Sequence, residues 1–311
     1  MSKHEMNIYE VNPNITTFYF GGDTDPDNPN LKVTVEDNWV IGACESLGVA
    51  SYAIHNEDAA LIYDTLCYPD QANLIRKHMT EKLGIKKFTV AVSHWHLDHI
   101  GGNELYKDCN IVGTRKTREY MLKYKAEIEA GTLWGAPAIK PVREPDITFD
   151  TDVSIWLNGL EVRLYNINIH TDDGLCAYIP KYKTLLPGDM LEDSASFVTN
   201  PEDIPAHVAN FSLLHKLGVE KILPNHGRSF VIKEGGYSKE LIDCVAYYLD
   251  TLYTALKNDP DARIPELRIF LKQYFDKGLI HYWHPYESVH NKSTERVRAF
   301  FKNTWNSNGK L

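Results

Sequence analysis

The stretch Ser93-His94-Trp95-His96-Leu97-Asp98-His99-Ile100-Gly101-Gly102 follows directly on the apolar run at residues 88–92. Lys86-Lys87 precede that run and a glycine pair closes the stretch, so it reads as a buried strand that ends in a turn. Four side chains able to bind metal fall within the six positions 94–99. His94 and His96 are two apart, which puts them on one side of an extended chain and on different sides of a helix. Asp98 and His99 come where the chain turns, so they face a second point nearby. Imidazoles with one carboxylate suit zinc, iron or manganese better than calcium or magnesium. The fold must therefore deliver two neighbouring donor groups from one strand end.

The pattern His94-x-His96-x-Asp98-His99 resembles the signature of the metallo-β-lactamase-fold hydrolases, a superfamily that includes glyoxalase II and the acyl-homoserine-lactone lactonases. The later positions of that signature recur in order. His170 stands in Asn168-Ile169-His170-Thr171-Asp172-Asp173-Gly174, Asp189 in Leu185-Leu186-Pro187-Gly188-Asp189, and His226 in Pro224-Asn225-His226-Gly227. Upstream, Ile62-Tyr63-Asp64-Thr65 is similar to the family's Asp-Thr-Gly turn, with Leu66 where glycine is usual. The resemblance covers residues 45–230. It implies an α/β fold, the αββα four-layer sandwich of this superfamily.

It also implies a ligand set. His94, His96 and His170 would hold one divalent ion, Asp98, His99 and His226 a second, and Asp189 would bridge them. Asp64 would support the loop without binding metal, and Asp98 is the catalytic candidate. Zinc is the expected metal, with iron or manganese as alternatives. Two such ions share a water and bring its pKa toward neutrality, giving hydroxide as the nucleophile. Asp189, in place of Cys or Ser, is unlike true β-lactamases and points to ester, thioester, lactone or phosphoester substrates. Retention of His99 speaks against the flavodiiron oxygen reductases. The expected activity is dinuclear hydrolysis of a small ester-like substrate. An iron-dependent dioxygenase of the persulfide dioxygenase type, with one iron on the same fold, is the alternative. A non-catalytic sensor would show a degenerate ligand set, and this chain has all seven positions filled.

Around this site the chain is ordinary in composition. It has 311 residues, 43% of them apolar and 24% charged, enough for a sizeable core. The formal charge, 33 − 42 = −9, repels polyanions, so nucleic acid is not an expected partner. No run approaches the length of a membrane span and no secretory signal opens the chain, which gives an expectation of a soluble, cytoplasmic protein acting on a small molecule, with a homodimer as its possible assembly. The five cysteines, Cys44, Cys67, Cys109, Cys176 and Cys244, are widely spaced and read as reduced. Cys176 begins a strand and is not expected to ligate metal.

Two units are expected: a catalytic domain at 1–235 and a helical extension at 236–311 packed on it. Strands are expected at 15–20, 32–35, 52–54, 59–63, 111–113, 153–156, 162–165, 176–179, 184–186 and 221–223. Helices are expected at 69–83, 102–105, 115–129 and 204–217, then at 237–258, 266–275 and 293–301. The Asp23/Asp25/Asp27 series lacks the glycine and distal glutamate of a calcium loop and reads as a solvated turn. His78 reads as a packed helix residue. Residues 131–145 form a long irregular segment in which Trp134 is a candidate substrate contact. Asp172, Asp173 and Asp193 lie next to ligand positions and either orient them or face solvent. In the tail, His281 and His284 have helical spacing, but an aromatic packing patch suits His281-Tyr282-Trp283-His284-Pro285-Tyr286 better than a second metal site.

Overall fold

Alternation along the early strands assigns each residue to one of two faces. On β2 (Ile15–Phe20), Ile15 and Tyr19 join one buried cluster while Phe18 and Phe20 join another. On β3 (Val49–Asn56) and β4 (Ala59–Tyr63), Tyr52, Ile54, Leu61 and Tyr63 follow the first pair, and Ala53, Ala60 and Ile62 the second. A sheet covered on both faces results. The computed structural model describes residues 5–22 and 39–308, with side chains described as far as residue 304. The strand expected at 32–35 and the Asp23/Asp25/Asp27 turn lie outside the described residues.

The first sheet has seven strands in chain order: β1 (Asn7–Asn12), β2, β3, β4, β5 (Lys87–Ala91), β6 (Ile111–Thr114) and β7 (Ile147–Phe149). Its first four strands pair antiparallel and the rest parallel. The second sheet comprises β8 (Asp152–Leu157), β9 (Leu160–Asn166), β10 (Leu175–Ile179), β11 (Thr184–Leu186), β12 (Lys221–Ile222) and β13 (Tyr237–Ser238), in the order β13-β12-β11-β10-β9-β8. Only the β11–β12 pair is parallel.

Helix α1 (Pro69–Leu83) begins on a proline and stops at Gly84, whose φ of 69° suits a left-handed cap. It buries Ala72, Ile75 and Met79 in the cluster on the outer face of the first sheet. Helices α2 (Leu97–Ile100), α3 (Arg115–Lys123) and α4 (Lys125–Ala130) follow. On the far side of the second sheet lie α5 (Ile204–Lys216), α7 (Glu240–Asn258), α8 (Leu267–Phe270), α9 (Lys272–Phe275) and α10 (Tyr286–Asn308), whereas α6 (Ser229–Lys233) packs against β1 and β2 of the first sheet. Phe211 and Leu214 of α5 and Val245, Leu249 and Leu252 of α7 share one cluster with β10, all five of whose residues are buried. The layers run helix, sheet, sheet, helix, the αββα arrangement expected.

Between the sheets the core is not purely apolar. The fully buried Tyr19, Tyr52 and Tyr63 donate to the carbonyls of Gly227 (2.9 Å), Pro224 (2.6 Å) and Leu175 (2.6 Å), reaching from the first sheet to the second. Each ring adds apolar burial, and each hydroxyl satisfies a carbonyl whose orphaning costs about 1–3 kcal/mol.

Several expectations need correction. The cysteines are not all reduced: Cys44 and Cys67 form a disulfide, leaving Cys109, Cys176 and Cys244 free. The two are 23 positions apart in sequence, and the turn after β4 folds back onto the 40–46 helical segment to bring them together. The helix expected at 115–129 breaks at Tyr124, whose φ and ψ of −103° and 11° leave the helical region. Tyr237 and Ser238 pair with β12 before α7 starts, the segment at 266–275 is two short helices, and α10 extends well beyond 293–301 in both directions. Strand β1, the 40–46 segment and α6 carry no clear periodicity and were not expected. Among the described residues, no helix is long and apolar enough to cross a membrane.

Candidate metal centre

The C-terminal tip of β5 carries Ser93 and His94 out of the sheet, and α2 turns Asp98 and His99 back beneath them. The loop after β9 brings His170, the turn after β11 brings Asp189, and the loop after β12 brings His226. All seven side chains meet. His94, His96 and His170 have ligand atoms within 4.8 Å of one another, and so do Asp98, His99 and His226. Asp189 joins the two groups: its Oδ2 lies 3.6 Å from His94 Nε2, 3.2 Å from His99 Nε2 and 3.5 Å from His226 Nε2. His170 Nε2 is 3.3 Å from His96 Nδ1, and His226 Nε2 is 3.1 Å from Asp98 Oδ2.

Partners on the far side of each ring decide which nitrogen faces inward. His99 Nδ1 donates to Asp64 Oδ2 at 2.9 Å, His226 Nδ1 to the carbonyl of Gly48 at 2.5 Å, and His94 Nδ1 to Ser93 Oγ at 3.0 Å. That leaves Nε2 of each as the inward atom. Asp64 also accepts from the backbone N–H of Ser93 (2.7 Å) and from Asn225 Nδ2 (2.9 Å), so one buried carboxylate ties the loop after β5 to the His226 loop. Asp173 does the same between the His170 loop and the β5 tip, accepting from Trp95 N at 2.9 Å and Thr117 Oγ1 at 2.9 Å. Asp172 faces outward, paired with Lys116 at 2.6 Å and Tyr120 Oη at 2.9 Å. Asp193 is buried under the tail, accepting from Tyr237 Oη (2.7 Å) and His281 N (2.8 Å).

The backbone is held in rarely populated conformations at three of these places. Asp64, Leu66 and His170 have φ of 64°, 61° and 67°. A left-handed φ costs a non-glycine residue about 1–3 kcal/mol and persists where surrounding contacts enforce it. Leu66 stands where the related turn has glycine, and the geometry accounts for the usual residue; here full burial of the leucine offsets the cost. Gly188, before Asp189, has φ of 67°, and a Cβ there would sit 2.9 Å from Ser93 Cβ, so the turn requires glycine.

Electrostatically the two groups differ. Burial pushes His96 down to about 3, with His170 adding to the effect, and lowers His94 and His170 in the same direction. In the other group burial also opposes charge, but Asp189 and Asp98 outweigh it, raising His226 to about 9 and His99 well above its ordinary value. Burial works against ionised Asp98 and Asp189 as well, yet the neighbouring imidazoles, His99 first, hold both carboxyls well below the usual range.

The donors fit a metal. His94 Nε2 and Asp189 Oδ1 are buried with no hydrogen-bond partner, a costly state for polar atoms that a cation within the cluster relieves. Imidazole and carboxylate are donors for divalent transition metals. Among the described residues His281 and His284 join no such group.

Other residues at the site escaped the sequence reading. Glu192 is buried three positions after Asp189, accepting from Tyr286 Oη at 3.1 Å, and burial followed by the charge of Asp189 pushes it up to about 8. Asn225 and Ser93 adjoin ligands, a signal that was available. Gly48 acts through its carbonyl and leaves none.

The family model described as the Metallo-beta-lactamase superfamily matches residues 46–226, more than half of the chain and inclusive of every residue of the cluster. Solved structures agree in fold. A metallo-beta-lactamase from Pontibacter korlensis superposes with a TM-score of 0.60 at 16% identity, covering 79% of this chain and 99% of that one. The DIM-1 metallo-beta-lactamase does so with a TM-score of 0.55 at 16% identity, covering 77% and 97%. With the fold, the ordered residues and the family match in agreement, the chain belongs to the metallo-beta-lactamase superfamily.

Proposed function

We propose that this protein is a dinuclear metal-dependent hydrolase of a small ester-like substrate, a lactone, thioester or phosphoester, in the manner of the glyoxalase II and lactonase branch. The observation that carries the reading is the cluster itself: seven donors from four loops, six of them buried and His96 half-buried, several with no partner but one another. His94, His96 and His170 would hold one ion, Asp98, His99 and His226 the other, with Asp189 between them. Two divalent ions supply an acidified water and a Lewis acid for the scissile carbonyl or phosphoryl oxygen.

The chain's own residues do the rest. Asp98, ionised because of its histidine neighbours, accepts a hydrogen bond and orients the attacking water. Asp64, Ser93 and the Gly48 carbonyl fix ring orientation, so no reorganisation is needed when substrate arrives. Asp189 in the bridging place, where true β-lactamases differ, favours ester-like over β-lactam substrates.

The test is metal analysis of the purified protein followed by a panel of lactone, thioester, phosphodiester and β-lactam substrates. Two divalent ions per chain with turnover of an ester-like compound is the expected result. One iron per chain with oxygen consumption and no hydrolysis overturns it.

A further inference from the structure

Beside the cluster stands a group of aromatic rings that metal binding does not use. Trp95, between His94 and His96, lies with its ring centroid 5.0 Å from Tyr124 and 5.4 Å from Tyr120, at interplanar angles of 16° and 27°. Trp134 closes the set, 5.1 Å from Trp95 and 5.2 Å from the ring of His96, which it meets edge-on at 81°. Three of the four rings are half-buried, but Trp134 is 43% exposed. Its φ of 56° is one that a bulky residue rarely adopts.

The loop that presents Trp134 is anchored rather than loose. Thr132 N bonds Glu127 O at 2.9 Å, Trp39 Nε1 bonds Pro137 O at 3.2 Å, Val142 N bonds Glu129 Oε1 at 3.0 Å, and Ile139 and Val142 are buried. Charges around the rings are engaged: Lys116 with Asp172 at 2.6 Å, Lys125 with Glu144 at 3.5 Å, and Lys123 over Tyr124 at 4.8 Å. A strained, anchored and exposed indole against the His96 ring is a built aromatic surface, and the cations beside it are engaged.

We infer that Trp134, backed by Trp95 and Tyr124, is the subsite for a planar aromatic group carried next to the scissile carbonyl. The inference rests on the hydrolase reading above. An acyl carbon placed at the cluster beside His96 puts a ring bonded to it within stacking reach of Trp134. Such a contact discriminates an aromatic acyl group from a small one by roughly tenfold.

The test uses metal-loaded protein. Binding of benzoate, cyclohexanecarboxylate and acetate is measured by calorimetry, and hydrolysis of the benzoyl and acetyl thioesters of N-acetylcysteamine is followed in parallel. Wild type should prefer benzoate over acetate, and benzoyl over acetyl in kcat/KM, by roughly tenfold. In Trp134→Ala and Trp134→Leu both ratios should fall to about twofold with metal content retained, and Trp134→Phe should restore most of the preference. A merely structural role for Trp134 lowers both substrates together and leaves the ratio in place, which overturns the inference. So does cyclohexanecarboxylate binding as well as benzoate, or Trp134→Leu keeping the full ratio. If wild type hydrolyses no member of the substrate panel yet benzoate still binds through Trp134, the hydrolase reading fails and the subsite stands.

Discussion

The two halves of the cluster, three histidines on one side and Asp98, His99 and His226 on the other, are built on opposite electrical terms. The first is three imidazoles that burial and mutual repulsion keep neutral, His96 down to about 3. The second surrounds its imidazoles with carboxylates, so His226 holds a proton up to about 9. Without metal, one half already has its lone pairs free, while the other must give up a proton for each imidazole that binds. A cluster of seven donors is therefore not one unit. It is a preorganised half and a proton-filled half that share Asp189.

The severest way to break the comparison is Asp189→Asn, because that oxygen faces both halves. Metal content should fall on both sides and turnover by about 10⁴-fold, with circular dichroism unchanged. Retention of full metal would make Asp189 a bystander. His96→Ala sharpens the asymmetry by touching one half only. It should remove metal and activity together, turnover falling about 10³-fold in a folded protein.

Asp64→Asn acts from outside the cluster on the carboxylate-rich half, through His99. Affinity there should weaken about 10–100-fold, read by competition with a chelator, while the three-histidine half changes less. The mildest test is pH. His226 is raised above its ordinary value, so its proton stabilises the metal-free fold fully below about 6.5 and that contribution is lost as pH rises through about 9. Metal competes with this proton and with the one on His99, so affinity of this half should climb about tenfold per pH unit for each of the two imidazoles up to about 9. His96, lowered to about 3, gives its half no such slope near neutrality. Dialysis at pH 6 and pH 9 followed by metal counting separates the two. Equal slopes would mean that the two halves hold their protons alike.

Much of this was legible in the chain. Ligand residues sit at strand ends and before tight turns, where residue type and local geometry are dictated together, so His94, His96, Asp98 and His99 announced both the donors and the turn. Helix α1 was legible at both boundaries because proline and glycine set them. What was hidden depends on chain segments meeting in space. Gly48 holds His226 with a backbone atom that every residue has. Cys44 and Cys67 pair because a turn returns to a distant segment, and their spacing gave no hint of it. Trp95 stacks only because α3 and the residue after it bring Tyr120 and Tyr124 to it, a meeting its place between two histidines does not announce.

The three phenols that span the sandwich set a mechanical condition on the donor cluster. Pro224 and Gly227, whose carbonyls receive Tyr52 and Tyr19, bracket His226. A sideways slip of one sheet over the other would drag that imidazole with it, since the same few residues serve as tether point and ligand support. The gap between the layers is therefore part of the tolerance to which the donor cluster is made, and a hydroxyl deleted deep in the interior should be felt at His226 as misalignment before it is felt as unfolding.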